Sequence, residues 1–112
     1  SYINIPVVEG EDYMNGVQSK LKGKDLDFLF EAILKLEDIN ECYNFFEDIC
    51  TISELKALAQ RLHVAKMLRE KKTYTEIAEE TKASTATISR VNRCLNYGAD
   101  GYNNILNRLD EK

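Results

Sequence analysis

The residues that most restrict the fold of this chain lie between Thr73 and Leu95, where two short apolar periods meet across a three-residue break. Thr73 with Glu76 three positions on has the form of a capping box, in which a hydroxyl and a carboxylate satisfy backbone N–H groups reciprocally. A helix is therefore expected to open at Tyr74, with Ile77 and Ala78 inward, the small Ala78 letting a second helix cross close by. Thr81-Lys82-Ala83 breaks the period, and Ser84 is a good N-cap for a new helix from Thr85 to about Asn96. That helix sets Ile88, Val91 and Leu95 on one stripe at spacings of three and four. Its other face carries Thr85, Ala86, Ser89, Arg90 and Arg93. A short helix, a compact turn and a second helix with a hydroxyl and guanidinium face make a helix-turn-helix, whose second helix fits the major groove of duplex DNA.

The run Ile77-Ala78-x-x-Thr81-x-Ala83-Ser84-x-x-Thr87-Ile88-Ser89-Arg90 resembles the helix-turn-helix of many bacterial repressors almost position for position. Lys82 is a departure, because glycine is usual in that turn. A left-handed residue there costs about 1 kcal/mol without glycine, which is tolerable. Two amphipathic helices in an ordinary bundle would show the same apolar spacing. The cluster Ser84, Thr85, Thr87, Ser89 and Arg90 separates the two readings, since a merely solvated helix is filled with Glu, Lys and Gln.

At 112 residues the chain is one domain's worth, with a core adequate but not generous, so association between chains is plausible. Its 44% apolar and 30% charged residues read as soluble and globular. No run approaches the roughly 18 apolar residues of a membrane span, nor does the N-terminus carry a basic segment followed by an apolar one. A cytoplasmic location is expected. Cys42, Cys50 and Cys94 form no CxxC pair and fall on apolar stripes, so buried thiols packing as small hydrophobes are expected. His63 is the only histidine, leaving little for a zinc site or a Cys/His catalytic pair; a helix-surface position suits it. No cofactor or metal is expected, and no paired carboxylates, activated nucleophile or phosphate-cradling glycine loop points to an enzyme.

The net charge of −4 is uneven along the chain. Residues 1–50 hold 4 basic and 11 acidic groups, residues 51–72 hold 6 and 2, residues 73–97 hold 3 and 3, and residues 98–112 hold 2 and 3. The basic groups thus sit beside and within the helix-turn-helix, a local patch suited to phosphates.

Residues 1–22, with Pro6 and glycines at 10 and 16, read as a flexible N-terminal arm, within which Met14 could be an initiator methionine; residues 23–112 form the folded domain. A first helix is expected from Asp25 to Leu36, with Leu26, Leu29, Phe30, Ile33 and Leu34 as its stripe. A second runs from about Asn40 to Cys50 with Cys42, Tyr43, Phe45, Phe46, Ile49 and Cys50 apolar. Phe45 and Phe46 would contribute roughly 1.5 to 3 kcal/mol each if buried, more than one thin bundle layer supplies. A second chain is the natural cover, which points to a homodimer. Thr51 with Glu54 opens the longest helix, Ile52 to about Glu70, with Leu55, Leu58, Ala59, Leu62, Ala65 and Leu68 as its core stripe. Lys56, Arg61, Lys66, Arg69, Lys71 and Lys72 make it basic, which complements the helix dipole or a phosphate. Gly98 suits a left-handed C′ position. Asp100 can cap a last helix, Gly101 to Leu109, with Tyr102, Ile105, Leu106 and Leu109 inward.

From about Leu26 to Leu109 the chain resembles the Trp repressor superfamily, most closely its YerC/YecD branch. The resemblance is carried by Glu41-Cys42-Tyr43-x-Phe45-Phe46-x-Asp48, Ala57-Leu58-Ala59-Gln60-Arg61-Leu62, Ala86-Thr87-Ile88-Ser89-Arg90 and Asn92-Arg93-Cys94-Leu95-Asn96-Tyr97-Gly98. It implies an all-α, six-helix, intertwined homodimer whose first three helices and last build a shared core, each subunit presenting one recognition helix to successive major grooves. It also implies matches to a tryptophan pocket at Thr51, Arg61 and Arg90. Yet Val91 stands where the indole packs on a glycine, and Cys94 where a serine helps bind the amino group. Two methyls occupy the indole's space and a thiol is a weak partner, so tryptophan is not expected as co-repressor.

The expected function is a sequence-specific, DNA-binding transcriptional regulator, a repressor, acting as a homodimer on a two-fold operator in double-stranded DNA. Thr85, Ala86 and Ser89 would face base edges, and Lys71, Lys72, Thr75, Lys82, Ser84, Thr87, Arg90 and Arg93 the phosphates. The alternative is a helical protein-interaction module that docks on the transcription machinery, for which the acidic first half gives some purchase.

Overall fold

The computed structural model describes residues 22–111. They form six helices and no strand: α1 Lys24–Ile33, α2 Ile39–Ile49, α3 Ile52–Arg69, α4 Tyr74–Thr81, α5 Thr85–Tyr97 and α6 Gly101–Asp110. The expected N-terminal arm, Met14 included, lies outside the described residues apart from Lys22. The chain divides into two compact units, Ser1–Phe46 and Glu47–Lys112.

In the first unit, Asp25 and Asp27 occupy the first turn of α1, at the positive end of its dipole. The helix stops at Ile33, short of the expected Leu36, because the Lys35 and Leu36 N–H groups bond to Ala32 and Ile33 three residues back. Glu37 and Asp38, which lie between the first two expected helices, build the start of the second. Asp38 Oδ1 accepts from the Glu41 N–H at 2.8 Å, and Glu41 Oε1 accepts from the Glu37 N–H at 3.0 Å. Neither α1 nor α2 holds a buried residue. Leu34 and Ile39 are 82% and 74% exposed, and Phe28, Phe30 and Tyr43 are exposed as well. Phe45 and Phe46 are half-buried and meet edge to face, ring centroids 5.3 Å apart.

In the second unit, α3 to α6 close on one core: Val64, Ala65 and Met67 from α3, Ile77 from α4, Ala83 from the turn, Ile88 and Val91 from α5, and Leu106 from α6. Leu68, Ala78, Leu95 and Tyr102 pack against it partly buried. Ile77, Ile88, Val64 and Val91 are the largest fully buried side chains, each contributing roughly 1.5 to 3 kcal/mol. Polar ties add to this. Arg69 donates to the Asn103 carbonyl at 3.1 Å and to Asn107 Oδ1, while Asn103 Nδ2 donates to the Leu95 carbonyl at 3.0 Å.

Several expectations need correcting. On α3 the expected stripe holds only toward its end: Ala65 is buried and Leu68 packs against the core, whereas Leu58, Ala59 and Leu62 are exposed and Leu55 half-buried. At about 100° per residue Leu55, Leu58 and Leu62 lie a third to half a turn round the helix from Val64 and Met67, which meet α4 to α6. Periodicity finds Ala65 and Leu68 and misses Val64 and Met67, because apolar residues occupy more than one side of the helix. On α6, Leu106 is buried, whereas Ile105 and Leu109 are exposed. All three cysteines are half-buried rather than buried, and all are free thiols. Gly98 is extended (φ −89°, ψ −153°), not left-handed. It is needed for space instead: a Cβ there would stand 2.5 Å from the Cys94 carbonyl oxygen. Asp100 precedes α6 in the left-handed region (φ 66°) and its side chain makes no cap bond.

Candidate nucleic-acid interface

Three corners of the second unit turn through a left-handed residue that is not glycine: Lys71 (φ 65°), Lys82 (φ 63°) and Asp100. At the end of α3, the Lys72 N–H bonds to the Met67 carbonyl and the Lys71 N–H to that of Leu68, the paired pattern of a Schellman motif. That motif sets Lys71 and Lys72, both exposed, immediately ahead of α4.

The capping box of α4 forms as expected. Thr73 Oγ1 accepts from the Glu76 N–H at 3.1 Å and Glu76 Oε1 accepts from the Thr73 N–H at 2.8 Å. The Thr73 backbone N–H, then its side chain, and more weakly the nearby Lys72 charge hold the Glu76 carboxyl below its ordinary value. The α3 box repeats the arrangement, with Thr51 lowering Glu54 in the same way. Thr75, in the first turn of α4, is exposed.

The turn between the helices is built by Thr81 and Lys82. The Thr81 hydroxyl donates to the Ile77 carbonyl at 2.7 Å and accepts from the Ala83 N–H at 3.1 Å. Lys82 closes the last turn of α4 through its N–H to the Ala78 carbonyl at 2.9 Å, leaving its side chain exposed. From α3, Gln60 Nε2 donates to the Thr81 carbonyl at 3.0 Å. His63 Nε2 meets Glu80 Oε2 at 3.0 Å on the surface of the same two helices. Sequence spacing missed Gln60 and Thr81; partners 21 residues apart leave no local signal.

Ser84 caps α5: its hydroxyl accepts from the Thr87 N–H at 3.1 Å and donates to Thr87 Oγ1 at 3.1 Å. Thr85, Ala86, Ser89, Arg90 and Arg93 are all exposed, and Thr87 is half-buried. Directly behind them Ile88 and Val91 are 0% and 1% exposed. The outward side of α5 is thus bare while its inner side is fixed in the core. Lys82, Ser84, Thr85, Ala86, Ser89, Arg90 and Arg93 come together on one surface of α5 and its preceding turn, and Lys71, Lys72 and Thr75 cluster at the start of α4. Arg69, expected in the basic set, is instead tied to α6.

Comparison with known proteins decides the family. The Trp repressor protein family model matches residues 24–110. This chain belongs to that family. Uncharacterized protein YerC of Bacillus subtilis (strain 168) is 63% identical over 92 residues, covering 82% of this chain and 88% of that protein. The crystal structure of a TrpR like protein from Eubacterium eligens ATCC 27750 superposes with a TM-score of 0.79 at 61% identity, over 83% of this chain and 98% of that one. A second solved structure, from Staphylococcus aureus, gives 0.79 at 54% identity, over 83% and 93%. The all-α fold and the helix-turn-helix of a DNA-binding regulator accord with this membership. No helix among the described residues is long and apolar enough to cross a membrane.

The residues matched to a tryptophan pocket are placed as follows. Thr51 Oγ1 accepts from the Glu54 N–H at 3.1 Å as the cap of α3. Arg61 is half-buried and makes no ion pair among the described residues. Arg90 is exposed, Cys94 half-buried, and the Val91 side chain fills the core.

Proposed function

We propose that this chain is a sequence-specific transcriptional repressor that binds a two-fold operator as an intertwined homodimer, one α5 in each of two successive major grooves. The observation that carries the reading is the bare side of α5 backed by a buried one. Thr85, Ala86 and Ser89 are exposed above Ile88 and Val91, so the helix can be inserted without disturbing the core. In this reading Thr85, Ala86 and Ser89 face base edges. Lys71, Lys72, Thr75, Lys82, Ser84, Thr87, Arg90 and Arg93 meet phosphates, which set register without reading sequence.

The dimer is supported by apolar surface that one chain leaves open. Neither α1 nor α2 buries a side chain, and Ile52, Leu58, Leu62, Ile105 and Leu109 are exposed too. Surface of this extent marks an interface in a chain of this size. Tryptophan is not the co-repressor in this reading: Val91, which stands where the resemblance implies a glycine under the indole, is buried in the core, and the Thr51 hydroxyl caps α3. The protein works where the chromosome is, in the cytoplasm, and its action is binding rather than catalysis.

The test is selection of bound sites from random duplex DNA, then anisotropy titration of the selected site at two salt concentrations, with sedimentation of the protein alone and bound. A dimer on one two-fold site with steep salt dependence is expected. No affinity for duplex DNA at low salt overturns the regulator reading and leaves a protein-interaction module. Tight L-tryptophan binding by calorimetry overturns the ligand-free one.

A further inference from the structure

The tip of α5 has an unusual chemical inventory. Its first five residues expose Thr85, Ala86 and Ser89, two hydroxyls and two methyls on short stems; exposed Arg90 follows about 100° farther round the helix from Ser89 and is one of the phosphate contacts proposed above. None of those first three is an Asn, Gln, Lys or Arg, the side chains that make paired hydrogen bonds to adenine or guanine in the major groove. The neighbouring hydroxyls are engaged, since the Ser84 hydroxyl donates to Thr87 Oγ1 and accepts the Thr87 N–H. Asn92, the first amide along the helix, is half-buried, and the Asn96 side-chain amide donates to its main-chain carbonyl at 2.9 Å and to its Oδ1 at 3.4 Å. Arg93 stands eight residues beyond Thr85, about 12 Å along the axis at 1.5 Å per residue. That is about the full width of the major groove. With Thr85 to Ser89 over the bases, Arg93 reaches the groove wall and its phosphates. What remains over the base edges is a pair of methyl groups flanked by two hydroxyls.

We infer that α5 reads its half-site through the C5-methyl groups of pyrimidines: thymine is the base recognised, and 5-methylcytosine is bound better than cytosine at the same position. This rests on the DNA-binding reading above. The Ala86 methyl and the Thr85 γ-methyl supply apolar contact, the only handle that distinguishes thymine from uracil. The Thr85 and Ser89 hydroxyls adapt to donor or acceptor edges and discriminate little.

The experiment uses the full chain and the tightest duplex selected from a random pool. Each thymine is replaced singly by deoxyuridine, which removes one methyl and leaves the pairing unchanged. Loss of one methyl contact should weaken binding about three- to fivefold at one or two thymines per half-site and leave the other positions unmoved. At those positions a 5-methylcytosine·guanine pair should bind more tightly than cytosine·guanine by a similar factor. In Thr85→Ser, which keeps the hydroxyl and removes only the methyl, the deoxyuridine penalty at one of these thymines should shrink toward one. Ala86→Gly should do the same at the other, with circular dichroism confirming that both variants fold. Deoxyuridine without effect throughout a site that is otherwise bound overturns this inference alone, and selected sites fixed by guanine rather than thymine do likewise. Penalties unchanged in both variants also overturn it. A chain that binds no duplex overturns the regulator reading and this one together.

Discussion

Lys82 carries two opposite effects on one residue, and its substitution separates them. Its backbone is left-handed (φ 63°, ψ 15°), held there by its N–H on the Ala78 carbonyl and by the buried Ala83 that follows. A side chain in that conformation costs about 1–2 kcal/mol. Glycine removes the cost but gives the unfolded chain more freedom, an offset of about 0.4–1 kcal/mol. Lys82→Gly should therefore stabilise the fold by about 0.5–1 kcal/mol, raising Tm by about 2–5 °C for a domain of this size. Lys82→Ala keeps the Cβ and should leave stability near that of the parent. For DNA the ranking reverses. If the exposed ammonium meets a phosphate in each subunit of the proposed dimer, both variants should lose about 1.8 from the slope of log K against log salt, about 0.9 per subunit, and Lys82→Arg should keep it. Urea denaturation at one fixed protein concentration reads the first effect, and anisotropy at several salt concentrations reads the second. A Lys82→Gly chain no more stable than the parent refutes the conformational argument. A slope unchanged in both neutral variants refutes the phosphate contact.

Gly98→Ala should cost about 1–3 kcal/mol, because the new methyl meets the Cys94 carbonyl oxygen at 2.5 Å and the neighbours it strikes are backbone; an unaltered urea midpoint would show the helix end can yield. Gln60→Ala removes the tie from α3 to the Thr81 carbonyl and should cost about 1 kcal/mol, with DNA affinity falling and the salt slope retained. Glu54 and Glu76 are held below the ordinary carboxyl value of 4.5, so their share of stability is full above that pH. It drains away as pH falls through their lower folded values. The double variant Glu54→Gln/Glu76→Gln should accordingly flatten the loss of stability below pH 4.5, and an acid limb as steep as the parent's would contradict the capping-box assignment. Leu34→Glu alters a residue 82% exposed in one chain and would be nearly neutral in a monomer. It should instead lower the dimer fraction in sedimentation, and a variant that dimerises like the parent removes Leu34 from the interface.

What was legible in the sequence was local. Thr51–Glu54, Thr73–Glu76 and Ser84 each mark a helix start within three residues, and each forms the expected bond. Lys82 as a left-handed turn residue was legible too, from the break it makes between two apolar periods. Asp38 was not, because a carboxylate between two helices reads equally as interruption and as cap. Gly98 was placed correctly, but for a backbone angle it does not adopt; the constraint is contact with Cys94, invisible to turn rules. Gln60 and Thr81 escaped because their bond joins residues far apart in sequence. The outward face of α5 was legible through its residue types, since hydroxyls and arginines at one spacing differ from an ordinary solvated helix.

The misplaced core has a different cause and a more general one. Periodicity reports that a residue wants burial and says nothing about which chain provides it. Along α3 burial changes with position as well as with side: Val64, Ala65, Met67 and Leu68 meet α4 to α6, while Leu58 and Leu62, nearer the start, remain open. The longer, leucine-rich stripe is the more conspicuous in sequence and the less buried in the single chain. The same holds for Ile105 and Leu109 on α6, beside a buried Leu106. An exposed pair of leucines is ordinary on any surface. Repeated on α3 and α6, with no fully buried residue on α1 or α2, such exposure is what supports the proposed pairing of chains. The small core behind α5 fixes that helix in one chain and leaves the second apolar set uncovered. If the chain pairs through that set and binds duplex DNA as proposed, pairing alone would fix the distance between two α5 helices, and the spacing of half-sites would depend on those open leucines as directly as on α5 itself.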